Sequence, residues 1–77
     1  MKKAIAIESI CTELESATYK HPYFPTDIIH QVSIMNEEAG ESIRAALNYV
    51  YEDGNIEEVR SELIQTGAMV IRCLMNI

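Results

Sequence analysis

Apolar positions recur in steps of three and four along most of the chain, and two breaks in that pattern divide it into three helical segments. The first is predicted over about Lys3 to Tyr19, where Ile7, Ile10, Cys11, Leu14 and Ala17 share one face. It stops before His21-Pro22-Tyr23-Phe24-Pro25, because two prolines exclude helix and favour an extended turn. Thr26-Asp27 then suits the cap of a second helix, since either side-chain oxygen can accept from an orphan amide one turn on. Within that helix Ile28, Val32, Met35, Ala39, Ile43, Ala46 and Val50 are separated by steps of four or three. They form a single stripe over roughly six turns and are expected to be the main seam of the fold.

Gly54 is expected to supply a left-handed stop after Tyr51-Glu52-Asp53, and Asn55 with Glu58 reads as a capping box opening the third helix. So short a connection sets helices two and three antiparallel. The third helix carries two apolar stripes, Val59/Leu63/Val70/Cys73/Ile77 and Ile64/Ala68/Ile71/Met75, roughly 150° apart at 100° per residue. A helix that is apolar on two sides needs two partners. No period-two alternation marks a strand. The expected fold is therefore all-α: one domain over residues 1–77, with a long central helix and a helical hairpin, completing a four-helix bundle as a homodimer or homotetramer.

Length and charge narrow the classes of function. A chain of 77 residues buries only about 60% of its unfolded surface, which again favours self-association. Six Lys/Arg against twelve Asp/Glu give a net charge of −6, which argues against nucleic acid or an anionic membrane as partner, since both require a basic footprint. Lys2-Lys3 followed by Ala4 to Ile7 resembles the start of a secretion signal, but Glu8 interrupts it. The uncharged run Leu63 to Ile71 falls short of the ~20 residues that span a bilayer. Cys11 and Cys73 match no CxxC spacing and read as small core hydrophobes. A soluble, cytoplasmic protein is expected.

The candidate chemistry lies in the carboxylates. Glu38 and Glu41 share a narrow stripe of helix two with Ile34 and Ala45, distinct from the main seam, and Glu37 stands beside them. On helix three, Glu58, Glu62, Gln65 and Met69 form another stripe. In an antiparallel hairpin the two stripes can face each other. Like charges at these spacings destabilise a helix by a few tenths of a kcal/mol per pair. A hard divalent cation such as Mg²⁺, or Mn²⁺, offsets that repulsion and can bridge to a substrate's phosphates.

Glu37-Glu38-Ala39-Gly40-Glu41 followed after twenty residues by Glu62-Leu63-Ile64-Gln65 resembles the EExxE…ExxD signature of the MazG-like all-α nucleoside triphosphate pyrophosphohydrolases, relatives of dimeric dUTPases and phosphoribosyl-ATP pyrophosphohydrolase. The resemblance covers roughly Pro25 to Ile77. It implies a Mg²⁺-dependent enzyme that cleaves a (d)NTP between its α- and β-phosphates to give a nucleoside monophosphate and pyrophosphate. Glu38, Glu41 and Glu62 would be metal ligands, with Glu37 and Glu38 as catalytic carboxylates, Glu37 being a further ligand or the group that positions water. Gln65 replaces the final Asp. A carboxamide can still offer a neutral oxygen to the metal, but it adds no charge and cannot act as a base. The alternative is thus a MazG-like bundle with weak or no turnover, serving as a binding or interaction protein. Glu58, one turn earlier, is a candidate replacement carboxylate.

Other residues admit plainer readings. Lys20 and Arg44 are candidate phosphate contacts, although a lone helix cation is more often an ion-pair partner. His21 and His30 read as turn and surface residues with no paired carboxylate. Tyr19, Tyr23 and Phe24 suit an aromatic plug at the end of the bundle, or a lid over a nucleobase.

Overall fold

The computed structural model describes all residues, Met1–Ile77. Three helices make up the chain: α1 (Lys3–Lys20), α2 (Ile28–Tyr51) and α3 (Ile56–Met75), with no strand. Their ends follow local chemistry. The His21-Pro22 step closes α1. Asp27 caps α2, its carboxylate accepting from the Ile29 amide at 2.7 Å and the His30 amide at 3.4 Å. Asn55 caps α3 by accepting from the Glu57 amide at 2.8 Å. The expected capping box does not form: the Glu58 amide donates to the Asn55 backbone carbonyl at 3.0 Å, and the Glu58 side chain borders a hollow beside α2. Glu57 and Glu58 in the first turn of α3 and Arg72 in its last complement the helix dipole.

The turn between α2 and α3 departs from expectation in detail. The left-handed residue is Asp53, with φ of 55°, and Gly54 has no positive φ. Gly54 is required for closeness: its amide donates to the Asn48 carbonyl at 2.8 Å, and a Cβ there would lie 2.8–3.0 Å from the Asn48–Tyr49 backbone.

Helix α3 is the middle helix in space. It packs against both α1 and α2, which do not pack on each other. The shortest dimension of the molecule, 20 Å, is about two helix diameters. The Ile64/Ala68/Ile71 stripe of α3 thus finds its partner within the same chain. Ala68 is completely buried, and α1 comes so close at Gly67 that a Cβ would meet the Ile10 side chain at 2.8 Å.

The seam of α2 is the main correction to the sequence reading. Its buried residues are Gln31, Ser42 and Ala45, on the stripe that also bears Glu38. Ile28, Val32, Ile43 and Val50 of the expected seam are exposed. At 100° per residue the two stripes stand about a quarter turn apart. Ser42 and Ala45 are small enough to let α3 approach closely, whereas a row of Ile and Val is not. Cys11 is likewise exposed, so the inner face of α1 is carried by Ala6, Ile10, Leu14 and Ala17. Cys73 is buried, its thiol donating to the Gln31 carbonyl at 3.3 Å.

The fully buried set contains as many polar residues, Gln31, Ser42 and Arg72, as apolar ones, Ala45, Ala68 and Cys73. Two of the polar three fasten the loop after α1. Gln31 donates from Nε2 to the Pro25 carbonyl at 2.6 Å. Arg72 donates to the His21 carbonyl and lies 4.6 Å from the centre of the Phe24 ring. No helix is long and apolar enough to cross a membrane.

Candidate metal centre

The tight α2/α3 turn sets the two acidic stripes against each other. Glu38 and Glu41 project from adjacent turns of α2 and Glu62 from α3, and one carboxylate oxygen from each lies within 4.8 Å of the others. Glu38 and Glu62 are half-buried, and Glu41 is exposed on the rim. The Oε2 atoms of Glu38 and Glu62 are closed off from solvent and have no hydrogen-bond partner. Unsatisfied carboxylate oxygens are costly inside a protein. Three converging carboxylates, two of them with an unpartnered buried oxygen, match the oxygen-rich donor set that a hard divalent cation requires.

The electrostatics follow the same geometry. Burial pushes the Glu38 carboxyl above its ordinary value, reinforced by the charges of Glu41, Glu13 and Glu37. Burial also raises Glu62, reinforced by the close approach of the Glu41 carboxyl and by the charges of Glu38 and Glu58. Glu38 and Glu62 therefore hold a proton more tightly than a solvated carboxyl does.

Beneath the acids, Ser42 Oγ and Thr66 Oγ1 are hydrogen-bonded across the helix interface at 2.9 Å. Each hydroxyl also approaches the carbonyl oxygen of a cluster residue one turn back, Ser42 that of Glu38 at 3.3 Å and Thr66 that of Glu62 at 2.8 Å. The pair therefore ties together the two turns that carry the acids.

The cluster stands between two hollows. One, about 590 Å³, is lined by Glu38, Gln65, Lys20, His30, Phe24 and Arg72 among others, and is closed at one side by α1. The other, about 250 Å³, is lined by Glu41, Glu62, Glu58 and Arg44. Lys20 and Arg44 thus lie on opposite sides of the acids. Gln65 faces the larger hollow with its amide nitrogen 3.2 Å from Ser61 Oγ. Glu58 is not one of the three converging residues but borders the smaller hollow. Glu37 is exposed and lines a third, separate depression with Ile29, Val32, Ser33 and Asn36, so its link to the cluster is through its charge. Glu52, Asp53 and Glu57 are exposed, Glu57 being paired with Arg60. His21 and His30 are exposed residues on the wall of the larger hollow.

Sequence reasoning missed two participants. Glu13, half-buried on α1 between Ile10 and Ala17, brings a further negative charge to Glu38 across the larger hollow. Arg72 is a buried guanidinium on the wall of the same hollow. Its one signal was a cation set inside the apolar run Val70 to Leu74. Comparison with protein-family models, curated proteins and solved structures gives no match to this chain.

Proposed function

We propose that this chain is a divalent-cation-dependent nucleoside triphosphate pyrophosphohydrolase of the MazG-like kind, working as a homodimer or homotetramer. The observation that carries the proposal is the convergence of Glu38, Glu41 and Glu62 within 4.8 Å, with two carboxylate oxygens shielded from water and unpartnered. These three would hold Mg²⁺ or Mn²⁺, with Gln65, which lines the same hollow as Glu38, as a further neutral donor. The bound cation would supply charge neutralisation for a triphosphate. A hollow of about 590 Å³ beside Glu38 falls in the size range of small-molecule sites, roughly 300–1,000 Å³. Lys20 and Arg72 on its wall give an otherwise acidic protein positive charge where phosphates would lie, and Phe24 and Tyr23 offer apolar surface for a base.

In the reaction, water forms the new bond to phosphorus while the α–β bridging P–O bond breaks, leaving a nucleoside monophosphate and pyrophosphate. A carboxylate at the site would take the proton that water releases, with Glu37 and Glu38 as the candidates. Pyrophosphate release from a panel of (d)NTPs with Mg²⁺ is the test. Activity should disappear in folded Glu38→Gln and Glu41→Gln proteins, and the absence of release from every nucleotide would refute the enzymatic reading.

Gln65 supports a second reading, that the bundle binds a nucleotide or another protein without turnover. Its carboxamide supplies no charge, and its nitrogen is turned to Ser61. Calorimetry that finds metal and nucleotide binding with no pyrophosphate released would favour it.

A further inference from the structure

We infer that a hollow at the C-terminal end of α3 is a binding site for a small apolar carboxylate, whose charge pairs with Arg72. This hollow, about 360 Å³, lies between α1, the proline loop and the last turn of α3, and none of the clustered acids lines it. Arg72 and Phe24 stand between it and the larger hollow and line both. Arg72 is 6% exposed. It has no carboxylate partner, since the one ion pair of the molecule joins Arg60 to Glu57. Its hydrogen bond to the His21 carbonyl leaves the rest of the planar donor fork free. None of its nitrogens is both sealed from solvent and without a partner, so the remaining donors open onto the hollows. A buried charge without a counter-charge is costly, and the Phe24 ring offsets only part of that cost.

Charge selects both the side and the ligand. On the larger hollow Arg72 shares the wall with Glu13 and Glu38, so an anion there needs a cation to accompany it. In the smaller hollow Arg72 is the only charged residue, and an anion is attracted with no metal present. A single guanidinium in a chain of net charge −6 matches the one charge of a carboxylate, held by the planar fork, better than the two of a phosphate. The remaining wall sets the body of the ligand. Leu14, Pro22 and Phe24 are apolar, and Tyr23 and Met75 are left 94% and 71% exposed at the mouth. Thr18 already donates its proton to the Leu14 carbonyl. Asn76 donates to the Arg72 carbonyl and keeps a second amide proton for a carboxylate oxygen. The volume stands at the small end of the roughly 300–1,000 Å³ of ligand sites, which suits an acid of the size of benzoate.

Benzoate added to the isotope-labelled full chain, free of metal and nucleotide, should give saturable NMR shifts at the Leu14 and Met75 methyls and the Thr18 amide. Acetate carries the charge without the body and benzamide the body without the charge, and each should bind about tenfold more weakly. Inorganic phosphate should also bind more weakly than benzoate. Arg72→Met should lose about ten- to a hundredfold in benzoate affinity. Should that variant fail to fold, Met75→Glu at the exposed rim sets a like charge at the mouth and should weaken benzoate severalfold. Shifts confined to Ile34 and Met69 of the larger hollow, benzamide or phosphate binding as tightly as benzoate, or no saturable shift at all overturns the proposal. Because neither cation nor nucleotide is present, the result is independent of the pyrophosphohydrolase reading. A chain that releases pyrophosphate but gives no benzoate shifts defeats only this hollow.

Discussion

Ser42 and Thr66 meet at 2.9 Å across the α2/α3 interface, and each is one turn beyond an acid of the cluster. With one proton apiece, a consistent arrangement has Thr66 donating to the Glu62 carbonyl and Ser42 donating to Thr66. This is the only side-chain-to-side-chain hydrogen bond joining two helices. Ser42→Ala is expected to destabilise the fold by about 0.5–1.5 kcal/mol and to weaken Mn²⁺ binding, because the two acid-bearing turns lose their tie. Urea unfolding of Ser42→Ala, Thr66→Val and the double variant checks this. A double variant costing the full sum of the singles would show that the hydroxyls do not interact.

Acidification should stabilise the metal-free protein. Glu38 and Glu62 both hold a proton more tightly when folded than their ordinary value of 4.5 implies. Their contribution is therefore fully present below the unfolded value and fades as pH rises through the raised folded values. The urea midpoint should climb as pH falls from about 7 toward 5, and Mn²⁺ affinity should fall over the same range because the ligands must shed their protons. A midpoint that falls on mild acidification would contradict the arrangement of the acids.

Removing one charge separates cation binding from plain stability. In metal-free buffer Glu38→Gln should raise the melting temperature, by an amount corresponding to a few tenths of a kcal/mol for each like-charge neighbour relieved. With saturating Mn²⁺ the order should reverse, since the wild type gains binding energy that the variant lacks. Paired thermal melts with and without the ion give the answer, and an unchanged wild-type melt would remove the case for a cation.

Arg72 holds the Pro22–Pro25 loop over the larger hollow through the His21 carbonyl and the Phe24 ring. Arg72→Ala should cost about 2–3 kcal/mol from the lost charge-assisted hydrogen bond and cation–π contact. Amide exchange should quicken in the loop and in the last turn of α1. Retained protection there would assign the loop's position to Gln31 alone.

The turn offers a simpler check. Gly54→Ala places a methyl group within 3 Å of the Asn48–Tyr49 backbone, so the end of α2 must shift. A loss of about 1–3 kcal/mol is expected, measurable by chemical denaturation.

The three helices and the Asp27 and Asn55 caps were legible in the sequence because they depend on residues within a turn or two of one another. The convergence of Glu38, Glu41 and Glu62 was legible for a related reason, since helical spacing and one short turn fix their relative placement. Which side of α2 turns inward was not. Ranking by hydrophobicity favours Ile28, Val32, Ile43 and Val50, but the approach of α3 is governed by the small Ser42 and Ala45. Glu13 and Arg72 escaped notice because their positions come from tertiary contacts with no local signature. Gly54 was assigned the left-handed conformation that Asp53 adopts, as a short polar residue can.

The placement of α3 between two helices that ignore each other carries a consequence for biosynthesis. Both α1 and α2 leave the ribosome before α3, the one helix that either packs against, so neither has its native helical partner while it waits. Consolidation of the fold must follow translation of α3, and a chain that stopped between Tyr51 and Ile56 would keep two helices with no helical partner for either.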